Sequence, residues 1–217
     1  MTTVDDALRA RISGAAGEGS VAADGTVTPQ TLAQLVEAVR VLSDTRTPFA
    51  MASGGATTSA PSVVLNLKRM SAILLRAPSL TLRAEAGASI AAARDAASKE
   101  KLAIVGLPDV EGSLSVGSLV AHGGVPRRSL AGIEAVLATG EVVHSGAAVL
   151  KDVVGYDLPA LLLGSMGRLA VIAAVTFRLE PAAARTAALP PSGARPSVDP
   201  AIARAFDPQG LLLTPTA

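Results

Sequence analysis

Two apolar periods run along this chain and divide it into helices and strands. In "TVTPQTLAQLVEAVRVLSD" the residues Leu32, Leu35, Val36, Val39 and Leu42 recur at helical spacing. Thr28 is placed to cap that helix and Pro29 suits its first turn. "SIAAARDAASKE" predicts a second helix, capped by Ser89. A short amphipathic helix is expected earlier, over Val4 to Ile12, followed by a Gly/Ala loop. A period of two marks "SLTLRAEAG" as a half-buried strand, and "PFAMAS", "SVVLNL" and "AILLRA" read as shorter strands.

A second unit begins near Gly112. "SVGSLVAHGG" predicts a short helix between glycines, and "GIEAVLATGEVVHSG" a β-hairpin turning at Thr139 and Gly140. "YDLPALLLGS" reads as helix and "LAVIAAVTFRLEP" as a long strand closed by Pro181. From Ala182 to Pro200 the chain is rich in Pro, Ala, Ser and Arg, as linkers are. "AIARAFDPQGLLLTPTA" regains apolar content and is expected to dock back. No internal repeat is present. The pattern predicts an α+β fold: an N-terminal helix and loop over 1–20, a main domain over 21–181 in two lobes (about 21–111 and 112–181), and a linker with a docking segment over 182–217. It lacks the regular strand–helix alternation of a doubly wound sheet.

Composition narrows the chemistry. Hydrophobic residues make up 49% of the 217 positions and aromatics only 2%, so the core is built from Ala, Val and Leu. A net charge of +1 gives no field for nucleic acid or anionic lipid, and base stacking lacks its aromatic platform. There is no cysteine, which excludes disulfides, thiolate catalysis, iron–sulfur ligation and cysteinyl-flavin links. His122 and His144 are the two histidines; with no carboxylate constellation beside them, no catalytic metal site is expected. The longest apolar run, "LPALLLGSMGRLAVIAAV", is interrupted by Gly164, Ser165, Gly167 and Arg168 and falls short of the ~20 residues of a membrane span. The start, "MTTVDDALRARI", lacks a signal-peptide core. A soluble, cytoplasmic protein is expected.

The stretch "MASGGATTSAPSVVLNL" follows a strand with small residues and then hydroxyls. A diphosphate needs convergent backbone N–H groups with no side chain in the way, and Gly54, Gly55 and Ala56 keep such an approach open. Thr57 and Thr58 add hydroxyl donors. A plain turn has the same composition. Four segments occur in a fixed order: "SGGATT", "RAEAGASI", "GSLSVGSLVAHGG" and "KDVVGYDLPALLLGSMGRLAVIAAVTFRLEP". That order resembles the FAD-binding domain of the vanillyl-alcohol oxidase, or PCMH, type. Within it, the chain is similar to FAD-linked 2-hydroxy-acid dehydrogenases and the E-type flavin subunit of glycolate oxidase, and its "AFDPQGLLLTP" resembles their usual terminus.

The resemblance implies noncovalent FAD. Its diphosphate would lie on Ser53, Gly54, Gly55, Ala56, Thr57 and Thr58. The isoalloxazine and ribityl chain would run along Pro108, then Ser115, Val116, Gly117 and Ser118, whose backbone donors would face the flavin. Ser118 replaces the family's second glycine. His122, with Gly123, is the histidine placed near the ring. Gly167, Val171 and Ile172 match the last flavin-contacting strand, where Ala170 and Ala174 replace a glycine and an acid. Lys151, Tyr156 and Asp157 fall on family positions, and Lys151 is a candidate phosphate contact. A small-residue helix start and a core strand account for much of the same pattern. The family's cap, or substrate domain, has no counterpart after "RLEP". The implied function is an FAD-binding subunit of a hetero-oligomeric, glycolate oxidase-like oxidoreductase, a flavoprotein exchanging electrons with catalytic and iron–sulfur or quinone-linked subunits. The rival expectation is a non-catalytic assembly subunit that keeps the fold and has lost FAD.

Overall fold

The computed structural model describes residues 5–52, 63–146, 157–194 and 198–213. Helix α1 (Asp6–Ala16) starts at Asp5, whose carboxylate accepts from the Leu8 N–H at 2.6 Å, and stops at Gly17. It therefore runs further toward the C-terminus than Val4 to Ile12. After strand β1 (Thr26–Val27) the backbone stays extended, because the Thr28 N–H donates to Ser20 O at 2.7 Å. Thr28 and Pro29 thus lie outside α2 (Leu32–Asp44). Thr31 caps it instead, accepting from the Gln34 N–H, and the Gln34 side chain reaches back to the Gln30 N–H in the manner of a capping box.

Strands β2 (Phe49–Met51) and β3 (Val63–Leu65) complete a parallel set with β1. The next elements are β4 (Ile73–Arg76), β5 (Thr81–Glu85), α3 (Ile90–Lys99), β6 (Leu102–Ile104), α4 (Val116–Ala121), β7 (Leu130–Val136), β8 (Val142–Ser145), α5 (Leu158–Leu162), β9 (Val171–Pro181), α6 (Pro200–Phe206) and β10 (Leu212–Leu213). One sheet has the order β1-β3-β2-β10, all parallel. The other has the order β4-β5-β9-β7-β8, all antiparallel, with β6 on the far end of β9. The chain changes sheet between Leu65 and Ile73, and strands from both sides of residue 111 share the second sheet.

β9 joins the two cores. Its residues Val171 to Val175 are all buried, and the alternation of a strand with one wet face begins only at Thr176. Val171 and Ala173 pack with α2 and the parallel sheet. Ile172 and Val175 pack with α3, α4 and the rest of the antiparallel sheet. The β7–β8 hairpin turns at Gly140, as the sequence predicts.

The stretch from Ala182 is not a free linker. Its N–H groups are pinned in turn: Ala182 to Lys101 O, Thr186 to the Glu180 carboxylate, Leu189 to Gly106 O and Gly193 to Gly123 O. An extended, Pro-rich chain keeps its amides unpaired locally, and loop carbonyls of the main domain accept them. The chain then docks through α6 and β10. Asp207, almost fully buried, accepts from Leu211 N–H (3.0 Å) and Leu212 N–H (2.8 Å), fixing β10 against β2.

Candidate functional site

Parallel strands share a polarity, so β2, β3 and β10 end on the same side. A cleft of about 290 Å³ opens there. Open sheets of parallel strands hold ligands at this end. One wall is Met51 and Ala52, Asn66 to Lys68, and Leu213 from the strand ends. Ala86 and Gly87, after β5, form the floor with Ala170 and Ile172. Ser113, Ser115, Gly117, Ser118, Ala121 and His122 come from α4 and its approach. Met166 and Gly167 close the far side.

The donors differ from the expected set. The Val116 N–H donates to Ala88 O and the Gly117 N–H to Ala86 O, both at 2.8 Å; the Ser118 N–H donates to the capping Ser115 Oγ. These amides hold α4 to the strand–helix turn and are not offered to a ligand. Gly117 is small for the same reason: a Cβ there would lie 2.7 Å from the Ala86 Cβ. What faces the cleft is side-chain chemistry. Ser115 accepts at its oxygen and keeps its O–H to donate. Ser113 spends its O–H on Glu111 at 2.6 Å. His122 Nδ1 lies 2.8 Å from Ser118 O. A carbonyl only accepts, so Nδ1 is the donor in this contact and Nε2 is the ring nitrogen left for the cleft. The Gly167 N–H makes no hydrogen bond among the described residues, and nothing lies within 4 Å of where its side chain would be.

The structure thus gathers Ser115, Gly117, Ser118, His122, Gly167 and Ile172 into the cleft. It does not bring Pro108 there; the Pro108 carbonyl accepts from Arg94 at 2.7 Å. Val116 and Val171 are core residues with no exposed surface. Gly123 faces the strap formed by the stretch after Ala182, where a Cβ would fall 2.0 Å from Gly193 O. Ser53, Gly54, Gly55, Ala56, Thr57, Thr58, Lys151 and Tyr156 lie outside the described residues; Ala52, immediately before Ser53 in the chain, is a cleft residue. Sequence reasoning missed Asn66, Lys68, Met166 and Leu213. Asn66, Lys68 and Leu213 share one signal, a position just past or at a strand end in the parallel sheet, a pairing the sequence does not display; Met166 comes from the turn before β9.

Two ion pairs brace the site from outside. Arg127 grips Asp157 through Nε at 2.9 Å and also donates to Leu130 O. Asp157 in turn caps α5, which leads into Met166 and Gly167. The Arg127 hydrogen bond holds the Asp157 carboxyl below its ordinary range. Arg83 reaches over β9 to Glu134 with two hydrogen bonds, 2.7 and 2.8 Å, and lowers that carboxyl's pKa in the same way. Ala174 lies beneath, paired across the sheet with both Glu85 and Glu134. An acid at 174 would face two carboxylates, and alanine is the residue this arrangement admits.

The cleft fits part of an FAD. It is walled by small and apolar side chains with hydroxyl, amide and ammonium donors, and among the described residues no carboxylate lines it. That suits a neutral ring system joined to an anionic diphosphate. Its volume is at the low end for ligand sites, about 300–1,000 Å³, so the described walls take one portion of the dinucleotide. Among the described residues no group of three or more His, Cys, Asp or Glu is placed to hold a metal, and no helix is long and apolar enough to cross a membrane.

Comparison with known proteins agrees. A D-lactate dehydrogenase of Archaeoglobus fulgidus is 33% identical over 138 residues, 59% of this chain and 31% of that enzyme. Glycolate oxidase subunit GlcD of Bacillus subtilis is 41% identical over 58 residues, 27% of this chain and 12% of that subunit. The chain spans about a third or less of the length of these relatives. In three dimensions, berberine bridge enzyme from Eschscholzia californica superposes with a TM-score of 0.61 at 18% identity, over 72% of this chain and 34% of that one, which shows the shared fold. The family described as FAD binding domain matches residues 23–146. The chain belongs to this family of PCMH-type FAD-binding domains, and FAD is its cofactor.

Proposed function

We propose that this chain is the flavin-holding unit of a 2-hydroxy-acid oxidoreductase, and that another subunit binds and activates the substrate. Bound FAD supplies the two-electron acceptor. The chain's own residues grip the cofactor: serine hydroxyls and the Gly167 N–H donate, Ala86, Gly117 and Ala170 let the ring lie close, and Leu213 and Met166 keep water from the edges. The carrying observation is what lines the cleft. A 2-hydroxy acid needs a cation for its carboxylate and a base for its hydroxyl. Among the described residues the cleft offers one cation, Lys68, for which the FAD diphosphate competes, and one imidazole, His122, so no second cation is left for a substrate carboxylate. The similarity to a D-lactate dehydrogenase and to a glycolate oxidase subunit supports the substrate class, and the latter supports assembly with partners. Catalytic and iron–sulfur or quinone-linked subunits are the partners of this reading.

The test is anaerobic. The isolated chain is loaded with FAD and mixed with glycolate or D-lactate while the flavin absorbance is followed. The flavin stays oxidised with either acid and bleaches with dithionite. Complete reduction by either acid within the mixing time would contradict the division of labour.

A further inference from the structure

We infer that Lys68 is the charge partner of the FAD diphosphate in this chain, an inference that rests on the FAD assignment. Lys68 lines the cleft and its ammonium has no carboxylate or hydrogen-bond partner among the described residues. Among the described residues no acid lines the cleft to neutralise it. FAD in its resting, oxidised form has a neutral ring and a neutral adenine, so its negative charge resides on the diphosphate. That group is the ligand that a lone ammonium in an acid-free cleft selects.

The backbone under Lys68 is held in place. Its N–H donates to Asn66 Oδ1 at 3.0 Å; the Met70 N–H donates to Leu67 O, and the Gly87 N–H donates to Met70 O. The turn presses so closely on Gly87 that a Cβ there would sit 2.0 Å from Leu67 O. The charge therefore stands on a fixed base. Its position follows from strand pairing: β3, which precedes it, is the parallel neighbour of β2, which ends at Met51 and Ala52 on the same side of the sheet. The lysine thus stands at the strand ends where the small-residue stretch from Ser53 begins.

The experiment titrates apoprotein with FAD for the wild type, Lys68→Met, Lys68→Glu and Lys68→Arg, at about 0.02 M and about 0.5 M salt. Thermal midpoints are measured beside each titration. An exposed ion pair sets the scale. Lys68→Met weakens FAD binding about 1.5- to fivefold at low salt, Lys68→Glu weakens it further, and Lys68→Arg restores it. The gap closes at high salt, where screening acts within about 4 Å. The reduction potential of the bound flavin is unchanged, because the diphosphate does not change charge on reduction. Equal affinity of wild type and Lys68→Met at low salt overturns the inference. So does a loss that is independent of salt and not restored by arginine, which is the mark of a packing role. A shifted potential with unchanged affinity assigns Lys68 to the flavin ring instead and also overturns it. Failure of the wild type itself to bind FAD strikes the cofactor assignment, not the lysine.

Discussion

Asp207 is the best place to perturb the C-terminal strand, because one carboxylate takes the two amides that lead into it. It accepts the N–H groups of Leu211 and Leu212, beside the short parallel ladder of β10 with β2 and the bond from Phe49 N–H to Leu211 O. Hydrogen bonds to a charged group contribute about 1.5–3 kcal/mol each, and part of the loss at Leu212 is recovered by water, so Asp207→Ala costs about 2–4 kcal/mol locally. Burial of Leu211 holds the strand with about 1.5–3 kcal/mol, comparable to the loss. The strand therefore opens locally while the two cores stay folded. Amide hydrogen exchange reads this directly. The Leu211, Leu212 and Phe49 amides exchange roughly 30- to 700-fold faster in Asp207→Ala, at tenfold per 1.4 kcal/mol. Amides of α3, on the opposite side of the antiparallel sheet, keep their wild-type protection. Leu213 is a cleft wall, so FAD binding weakens with the strand. Protection of Leu211 and Leu212 within threefold of wild type would refute the argument that the carboxylate fixes the strand.

Gly117→Val forces a branched side chain against Ala86 and costs about 1–3 kcal/mol, read as a lower midpoint in urea. Ala174→Glu places a carboxylate between Glu85 and Glu134; it lowers thermal stability at neutral pH, and the deficit shrinks as the medium is acidified and the carboxylates protonate. The Arg83 and Arg127 contacts lower the pKa values of Glu134 and Asp157 from reference values of 4.5 and 3.8. A carboxyl depressed in the folded state stabilises above its unfolded pKa, and that contribution is lost as pH falls through the folded value. Stability therefore declines below about pH 4.5, and Glu134→Gln flattens that decline; an unchanged acid limb of the stability–pH curve would contradict the role of the pair.

The readable parts of the fold were those fixed by neighbours in sequence. Ser89 caps α3 by accepting from Ala92 N–H, three residues on, and the hairpin turn at Gly140 is equally local. Thr28 and Pro29 carry a good local helix start, but a hydrogen bond from Thr28 to Ser20 keeps them extended, and nothing within the helix reports it. The strap after Ala182 has the composition of a linker because its partners, Gly106 and Gly123, lie some sixty residues or more away. The site was legible to a similar depth. Ser115, Ser118, His122 and Gly167 follow from the motif order, and they do line one cleft. The direction of the α4 amides was not legible, because small residues at a helix start serve a ligand or a packed turn equally well. Here Ala86 and Ala88 take those amides. Lys68 and Leu213 enter the site only through the parallel pairing of β3, β2 and β10, which no local pattern encodes.

The central claim is that this chain holds FAD by itself and without a covalent bond. The direct measurement is the stoichiometry of FAD in the purified chain after reconstitution, with the flavin released by acid precipitation and identified by chromatography. One FAD per chain, all of it in the supernatant, is the predicted result. A folded chain that retains no flavin from an excess of FAD, or one whose flavin stays with the precipitated protein, would contradict the account.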